Sequence, residues 1–278
     1  MFAWTLATGP LNDERREAGQ RCARVLGDRL GGELRIDEMP SYQALRTHVL
    51  ERRADFAWLP PALYVQAEPE VDLLSCGVRS LHAFFHGALF CRTDSVHESI
   101  ESLRNHTVAW VDRSSTSGFL FVRYALDEFV EVDLFFQEER FLGDHAEVVR
   151  AVLAGEVAAG ATYCHIGDEG ISPGVDWRAE TPPQLVSSAG WGDADVRVLL
   201  VSEPIPADVI VSSRTTPDAD RIRFVEVLQA LHDTLDGQAA LIEFFGVDRF
   251  EPAMWSRYST VRAALAEHVR RSTLPAAP

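Results

Sequence analysis

Short apolar runs alternate with amphipathic stretches along the first 67 residues of the chain. A run of apolar or β-branched residues predicts a strand, and apolar residues that recur every three or four positions predict a helix. Strands and helices are therefore predicted in alternation, at 2–7, 11–30, 34–38, 43–52, 55–59 and 62–67. This order is typical of a parallel sheet with helices on both faces, and it predicts a ligand crevice at the carboxyl ends of the strands.

A second set of elements follows two extended segments, 71–78 and 83–92. A helix is predicted after residue 100, and then strand, helix, strand, helix and strand at 107–111, 115–129, 133–136, 144–154 and 158–163. Residues 167–195 are rich in Gly, Pro, Ser and Asp and lack periodicity, which predicts a long surface excursion. The predicted chain ends with strands at 196–201 and 209–211 and helices at 218–235, 239–244 and 255–270.

The loop after the strand 107–111 is the clearest candidate for binding chemistry. Ser115, Thr116 and Ser117 lie where the next helix is predicted to begin, and Gly118 keeps a Cβ atom out of the way. The first N–H groups of a helix have no partner within it and carry roughly +0.5 of a charge, so they attract phosphate-like and carboxylate groups. An ordinary Ser or Thr helix cap is the alternative.

Charge restricts the partners of this chain. The 278 residues carry a net charge of −16, which argues against binding to nucleic acid or to an anionic membrane surface. All 26 basic residues are arginine. A P-loop and a Schiff base both need lysine, so these two chemistries are excluded. Any affinity for an anion must come from local groups.

Cysteine usage and hydropathy bear on location. The four cysteines lack metal-binding spacing, so they are predicted to be buried thiols of a reducing compartment: Cys22, Cys76, Cys91 and Cys164. No metal or cofactor is predicted, and no apolar run reaches the roughly 18 residues of a membrane span. The N-terminal residues lack signal-peptide features, which predicts a cytoplasmic protein, or a periplasmic one if a leader precedes this sequence.

Several short motifs together resemble one family. They are Ser-Tyr-Gln-Ala-Leu at 41–45, Ala-Asp-Phe-Ala-Trp-Leu-Pro-Pro at 54–61, Phe-Phe-His-Gly-Ala-Leu-Phe-Cys-Arg at 84–92, Ser-Thr-Ser-Gly-Phe at 115–119, Asp-His-Ala-Glu at 144–147 and Pro-Ile-Pro-Ala-Asp at 204–208. Over most of residues 1–250 the chain resembles the phosphonate/phosphite solute-binding proteins of ABC transporters. Each motif alone is weak, and the combination is fairly specific.

The resemblance implies an α/β protein with the two-lobed fold of type II periplasmic-binding proteins. Each lobe is expected to hold a mostly parallel sheet with helices on both faces. Lobe one is predicted to contain residues 1–84 and 206–278, and lobe two residues 85–205. Two hinge crossings are expected, near 85–92 and 200–208.

The resemblance also implies a set of ligand-binding residues. The family's oxyanion cradle corresponds to Ser115 to Ser117 and His145, with Tyr42 adding a phenolic hydroxyl from the other lobe. For His145 the alternative is a solvated helix cap, and for Tyr42 an aromatic residue at the rim of the site. A histidine at a helix start can donate one N–H to an anion, or two when protonated.

Two departures from the family concern the other half of the site. Phe85 stands where the family has a tyrosine, and His165 stands where binders of aminoalkylphosphonates have a glutamate, while Asp208 is kept. His165 has a second interpretation, as a core histidine. Because these changes weaken a site for an ammonium group, the sequence favours an anion without a free amine.

Two functions are open at this point. The first is a binding protein that closes over a small phosphonate, phosphite or phosphate-like anion, in transport with an ABC permease or in sensing with a sensor protein; it needs no catalytic residue. The alternative is a cytoplasmic enzyme of the same fold that acts on a carboxylated small molecule, since the chain is also similar to the enzymes of the futalosine route to menaquinone. His145, His165 and Asp208 would then supply acid and base groups.

Overall fold

A computed structural model describes residues 3–79, 82–166, 185–186 and 196–273. The contacts within the chain divide it into two units. Unit one comprises Met1–Phe84 and Pro206–Ser259, and unit two comprises Phe85–Ile205 and Thr260–Pro278. The excursion predicted for 167–195 lies outside the described residues except for 185–186.

Strands and helices alternate along much of the described chain. The strands are β1 Ala3–Thr8, β2 Glu33–Glu38, β3 Phe56–Leu59, β4 Val71–Val78, β5 Phe84–Arg92, β6 Thr107–Trp110, β7 Glu138–Phe141, β8 Ala159–Ile166, β9 Leu185–Val186, β10 Val196–Val201, β11 Ile205–Pro206, β12 Val209–Ser213 and β13 Arg249–Pro252. The α-helices are α1 Asp13–Leu30, α2 Tyr42–Leu50, α3 Pro61–Ala67, α4 Phe121–Leu126, α5 His145–Leu153, α6 Asp218–Gln229, α7 Leu235–Ala240 and α8 Ser259–Thr273.

Unit one is built on a six-stranded sheet with the order β13-β4-β12-β3-β1-β2. Strand β1 is parallel to β2 and β3, and β12 is antiparallel to both β3 and β4. Helix α1 contributes buried residues at every fourth position from Ala18 to Leu30, and Gly31 ends the helix with a φ of 71° that favours glycine. The carboxyl ends of β1, β3 and β4 therefore lie at the same edge of the sheet as the start of β12.

Unit two is built on a second sheet with the order β10-β5-β8-β6-β7. Strand β6 is parallel to β7 and β8, whereas β5 is antiparallel to β8 and β10. The carboxyl ends of β6, β7 and β8 therefore meet the start of β5 at one edge. Both sheets are mixed, which corrects the prediction of mostly parallel sheets: strands β5, β10, β12 and β13 return antiparallel to their neighbours.

The strand predicted at 133–136 is wrong. Val132–Leu134 form a 3-10 turn, and the strand lies further along, at Glu138–Phe141. Two aromatic residues of the apolar run pack inward, because Phe135 is fully buried and Phe136 lies 5.9 Å from the Trp110 ring, whereas Leu134 is exposed. Strand β7 contains charged residues because it is the last strand of its sheet.

The C-terminal helix corrects the predicted division of the chain. Residues 260–278 are predicted to belong to lobe one, but the described residues from Thr260 to Thr273 belong to unit two. The His268 ring packs 5.5 Å from the Phe119 ring, edge to face. Burial lowers the pKa of the His268 imidazole and so favours the neutral ring in this contact. The chain thus passes between the units three times, at 84–85, 205–206 and 259–260, rather than twice.

Gly87 in unit two allows a test of the close packing between β5 and the backbone at Ser117. A Cβ added at Gly87 of β5 would lie 2.6 Å from the backbone oxygen of Ser117, which cannot rotate away. We expect Gly87→Ala to lower the free energy of unfolding by about 1–3 kcal/mol, as for overpacked cores. Urea unfolding of the variant measures this loss.

The control is Gly77→Ala on β4. There the added Cβ would lie 2.6 Å from a side-chain methyl group of Val247, which can move. We expect a smaller loss than at Gly87. An equal loss in the two variants would show that the Ser117 backbone moves to accommodate the added methyl group, so that it does not exclude a side chain at position 87.

Candidate functional site

The predicted binding loop joins β6 to an unusual helix start. Helix 115–129 was predicted to be regular, but Thr116–Leu120 form a π-helical turn and only Phe121–Leu126 are α-helical. The Leu120 N–H donates to the Ser115 carbonyl at 3.0 Å. A Cβ at Gly118 would lie 2.9 Å from Ser115 Oγ and would overlap the Val111 side chain. Gly118 thus packs closely on Val111, the residue after β6, and π turns are frequent at functional sites.

The three hydroxyl residues of the loop are buried but differ in their bonding. Ser115, Thr116 and Ser117 are 2%, 2% and 4% exposed. Ser115 is the helix cap, because its Oγ accepts the Gly118 N–H at 3.1 Å. Within the described part of the chain, neither the N–H nor the hydroxyl of Ser117 has a recorded hydrogen-bond partner. The capping alternative therefore applies to Ser115, whereas no described residue uses the two donors of Ser117.

His145 is the first residue of α5, but it does not cap the helix. The cap is Asp144, whose side chain accepts the Glu147 N–H at 2.9 Å. His145 is half-buried, and its Nδ1 lies 2.8 Å from the Oγ1 atom of the buried Thr162 on β8. This hydrogen bond fixes the ring and directs Nε2 away from Thr162, as an anion-binding imidazole requires.

The two residues that depart from the family lie side by side. Strands β5 and β8 pair so that His86 is opposite Cys164 and Gly87 is opposite Tyr163. The rings of Phe85 and His165 are 6.3 Å apart as a result. The Tyr163 ring lies 6.0 Å from the His165 ring and 4.8 Å from the His145 ring, so it connects these two residues.

Unit two thus collects six of the eight predicted residues at one edge of its sheet. They come from the start of β5, the loop after β6, the start of α5 and the end of β8: Phe85, Ser115, Thr116, Ser117, His145 and His165. The sequence interpretation missed Tyr163. Its position two residues before His165 puts both side chains on one face of β8, and this spacing could have revealed it.

Tyr42 and Asp208 belong to unit one. Tyr42 is the first residue of α2, and its ring packs on Gly9 just after β1, where an added Cβ would lie 2.9 Å from Cε1. Asp208 directly precedes β12, whose Val209 pairs with Leu59 at the end of β3. Both residues therefore lie at the carboxyl edge of the first sheet.

The Asp208 carboxyl group has an unusual protonation equilibrium. Burial raises its pKa to about 7, and the positive charges of Arg15 and Arg79 offset this effect only in part. These two arginines and the nearby Trp58 were not singled out in the sequence. In the described ranges, no three His, Cys, Asp or Glu side chains are arranged to hold a metal ion.

Comparison with known families identifies the chain. The family described as ABC transporter, phosphonate, periplasmic substrate-binding protein matches residues 12–258. The chain belongs to this family. The predicted family is confirmed, and membership supports ligand binding rather than the enzyme alternative. Substrate-binding proteins of this family are components of ABC transporters and work with a permease.

Solved structures support the fold of this phosphonate-binding family member. It is similar to XAC2383 from Xanthomonas citri, with a TM-score of 0.71, 20% identity and coverage of 98% of this chain and 99% of that one. It is also similar to PhnD1 from Prochlorococcus marinus in complex with methylphosphonate, with a TM-score of 0.78 and 17% identity. That match covers 96% of this chain and 98% of PhnD1. A third similar structure is a binding protein component of an ABC phosphonate transporter from Pseudomonas aeruginosa, with a TM-score of 0.80 and 14% identity. That match covers 99% of this chain and 90% of that one. The predicted type II periplasmic-binding-protein fold is confirmed.

Two further comparisons complete the description of this family member. No curated protein sequence matches the chain. The helices of the described residues are all too short or too polar to cross a bilayer. The roles of the eight predicted ligand-binding residues stay predictions.

The raised pKa of Asp208 predicts a pH-dependent stability. A carboxyl group with a pKa raised above its value in the unfolded chain stabilises folding when it is protonated, and this contribution is lost as pH rises through about 7. We therefore expect Asp208→Asn to gain stability relative to the parent between pH 5 and pH 8. Urea unfolding at both pH values measures the change.

The exposed Glu14 on α1 offers a matched control. Glu14→Gln removes a carboxylate that lies in water, so its stability relative to the parent should change little over this range. A parallel response of the two variants would contradict the burial of the Asp208 charge.

Proposed function

We propose that this chain binds a small phosphonate-like anion through Ser115, Thr116, Ser117 and His145 and delivers it to the permease of an ABC transporter. The pair of donors on the buried Ser117 is the observation that carries this proposal. Family membership supports the role in transport. We propose the periplasm rather than the cytoplasm as the location, because proteins of this family are typically periplasmic.

The chemistry of the loop suits a phosphonate group. The phosphonate oxygens can accept hydrogen bonds from backbone N–H groups, hydroxyl groups and the His145 ring. The peptide dipoles at the helix start add a partial positive charge. Hydrogen bonds to a charged acceptor are stronger than those between neutral groups, and burial strengthens them further. Since the net charge of the chain is −16, long-range attraction is absent and these local donors must supply the affinity.

The neighbouring aromatic residues bear on the rest of the ligand. Phe85, Tyr163 and His165 lie together and include no carboxylate that could pair with an amine. We therefore propose a simple phosphonate rather than an aminoalkylphosphonate as the ligand. The similar protein PhnD1 was solved in complex with methylphosphonate, which is of this class.

The first test separates ligand binding from helix capping. Ser117→Ala removes a hydroxyl group with no recorded partner in the described chain, so the unliganded protein should keep its stability. Loss of one hydrogen bond to a charged ligand should weaken methylphosphonate binding by about 1.5–3 kcal/mol, or roughly ten- to a hundredfold. Isothermal calorimetry measures the affinity, and thermal unfolding without ligand measures the stability.

Ser115→Ala is the matched control, two residues away. It removes the cap on the Gly118 N–H and should cost about 0.5–2 kcal/mol of stability with or without ligand. If Ser117→Ala binds methylphosphonate as tightly as the parent, the anion does not bind at this loop and the proposal fails.

A second test concerns the amine. Methylphosphonate should bind more tightly than 2-aminoethylphosphonate, because the Phe85 and His165 side of the site cannot neutralise an ammonium group. His165→Glu should improve binding of the amine and weaken that of methylphosphonate, since it adds a negative charge. Calorimetry with both ligands on both proteins decides this, and tighter binding of the amine by the parent would refute the proposed ligand class.

A further inference from the structure

One hydrogen bond joins the start of α5 to the middle of the second sheet. His145 Nδ1 lies 2.8 Å from Thr162 Oγ1, and both residues belong to unit two. Thr162 is fully buried on β8, opposite Ala88 of β5. Strand β8 is paired with β5 on one side and with β6 on the other, so the Thr162 hydroxyl is held at a fixed position. The His145 ring also contacts the Tyr163 ring edge to face, with centroids 4.8 Å apart.

The close packing of α5 on β8 keeps His145 beside this hydroxyl group. A Cβ added at Gly160 of β8 would lie 2.6 Å from Val148 and 2.8 Å from Val152, two buried residues of α5. Side chains alternate along a strand, so Thr162 projects on the same face as position 160, towards α5. The contact between Thr162 and His145 therefore follows from the way in which helix and strand pack.

The surroundings of Thr162 indicate the direction of the hydrogen bond. A threonine hydroxyl has one proton to donate, and a neutral imidazole carries an N–H on only one of its two nitrogens. Within the described ranges, His145 Nδ1 is the single recorded hydrogen-bond partner of the Thr162 hydroxyl. If Nδ1 carried the proton and donated it, the hydroxyl proton would be buried without an acceptor, which costs free energy. The hydroxyl group therefore donates, and Nδ1 accepts.

This direction decides what the second nitrogen of His145 can do. When Nδ1 of a neutral imidazole accepts, the ring proton is on Nε2, which becomes a donor. With the opposite tautomer, Nε2 would present a lone pair, which repels an ionised phosphonate oxygen. The hydrogen bond from Thr162 thus makes the neutral ring a donor, and the ring can bind an anion without being protonated.

We propose that Thr162 is a positioning residue for anion binding, which sets the orientation and the tautomer of His145 so that Nε2–H donates to the phosphonate group. This inference rests on the proposed function. Thr162 acts through His145 rather than by contact with the ligand. The competing role is a purely structural one, in which Thr162 only fills space between β8 and α5.

The first experiment removes the hydroxyl group and keeps the shape of the side chain. Thr162→Val should weaken methylphosphonate binding about tenfold in calorimetry, as expected for the loss of a hydrogen bond to a charged ligand. Thr162→Ser keeps the hydroxyl and should stay within about threefold of the parent. Thermal unfolding without ligand checks that each variant is folded. Binding by Thr162→Val as tight as that of the parent, or an equal loss in Thr162→Ser, would overturn the inference.

Thr216→Val is the control. It removes another buried threonine hydroxyl, in unit one, that donates to the Asp55 carbonyl at 2.9 Å. It should lower the thermal stability and leave the affinity for methylphosphonate unchanged. If it weakens binding as much as Thr162→Val does, the loss at Thr162 is a general effect of stability and the inference fails.

A double-mutant cycle shows whether Thr162 acts through His145. In a His145→Ala background, Thr162→Val should change the affinity for methylphosphonate by less than about twofold, because no ring is left to position. A purely structural role would give the same loss in both backgrounds, and that result would refute the inference.

Nitrogen NMR of protein with labelled histidine reads the tautomer directly. His145→Ala identifies the signals of His145 by their absence. At pH 8 the unliganded parent should carry the ring proton on Nε2, and the Nδ1 signal should be that of a nitrogen that accepts a hydrogen bond. In Thr162→Val this signal should move towards that of a nitrogen without a donor, whereas Thr162→Ser should resemble the parent. A parent ring with its proton on Nδ1 contradicts the proposed direction.

The failure of this inference can be told apart from that of the proposed function. If Ser117→Ala weakens methylphosphonate binding while Thr162→Val does not, only the role of Thr162 is refuted. If the parent does not bind methylphosphonate, both are refuted.

Discussion

The approach of two backbone segments at Gly87 and Ser117 sets the geometry of the candidate site in unit two. No Cβ fits between β5 and the Ser117 carbonyl, and none fits between Gly118 and the Val111 side chain that follows β6. The Gly87 N–H donates to Ser202 Oγ at 2.9 Å, so the strand is held on its other side as well. The loop donors, His145 and Tyr163 can share one edge of the sheet because these segments pack without side chains between them. Gly87 and Gly118 therefore contribute to the site by positioning its side chains and not by chemical groups of their own.

The two units offer different chemistry for negative charge. In unit two the donors are backbone N–H groups, hydroxyl groups and an imidazole, which suit a tetrahedral oxyanion. In unit one the positive charges are the guanidinium groups of Arg15 and Arg79, which interact with the Asp208 carboxyl group. A chain without lysine has only arginine for a side chain that stays positive across the physiological pH range. That charge cannot be lost on burial, and the Asp208 carboxyl group balances it in part.

The sequence predicted much of the fold because most elements depend on local patterns. Helix α1 is specified by its buried stripe and by Gly31, and the family motifs gave the correct fold class. The error at 133–136 arose because an apolar run predicts burial, and burial in a turn looks the same as burial in a strand. The C-terminal helix was misplaced because its amphipathic pattern shows that it packs, but not on which unit.

The candidate site was only partly readable from the sequence. Motif matching placed Ser117 and His145, but it could not show that Asp144 is the helix cap or that Ser115 alone caps the π turn. The proximity of Phe85 and His165 depends on antiparallel register across about 80 residues, which no local pattern encodes. Tertiary contacts decide which polar groups stay available.

The contact between His268 and Phe119 has a consequence for how this chain is made. Phe119 belongs to the π turn, and the helix that packs on it begins at Ser259 and lies beyond the family match, which ends at 258. Unit one likewise needs residues up to Ser259. Neither unit can therefore complete its core until Ser259 and the helix that follows it have left the ribosome exit tunnel. A fragment trimmed to the family boundary would leave the back of the π turn open to water.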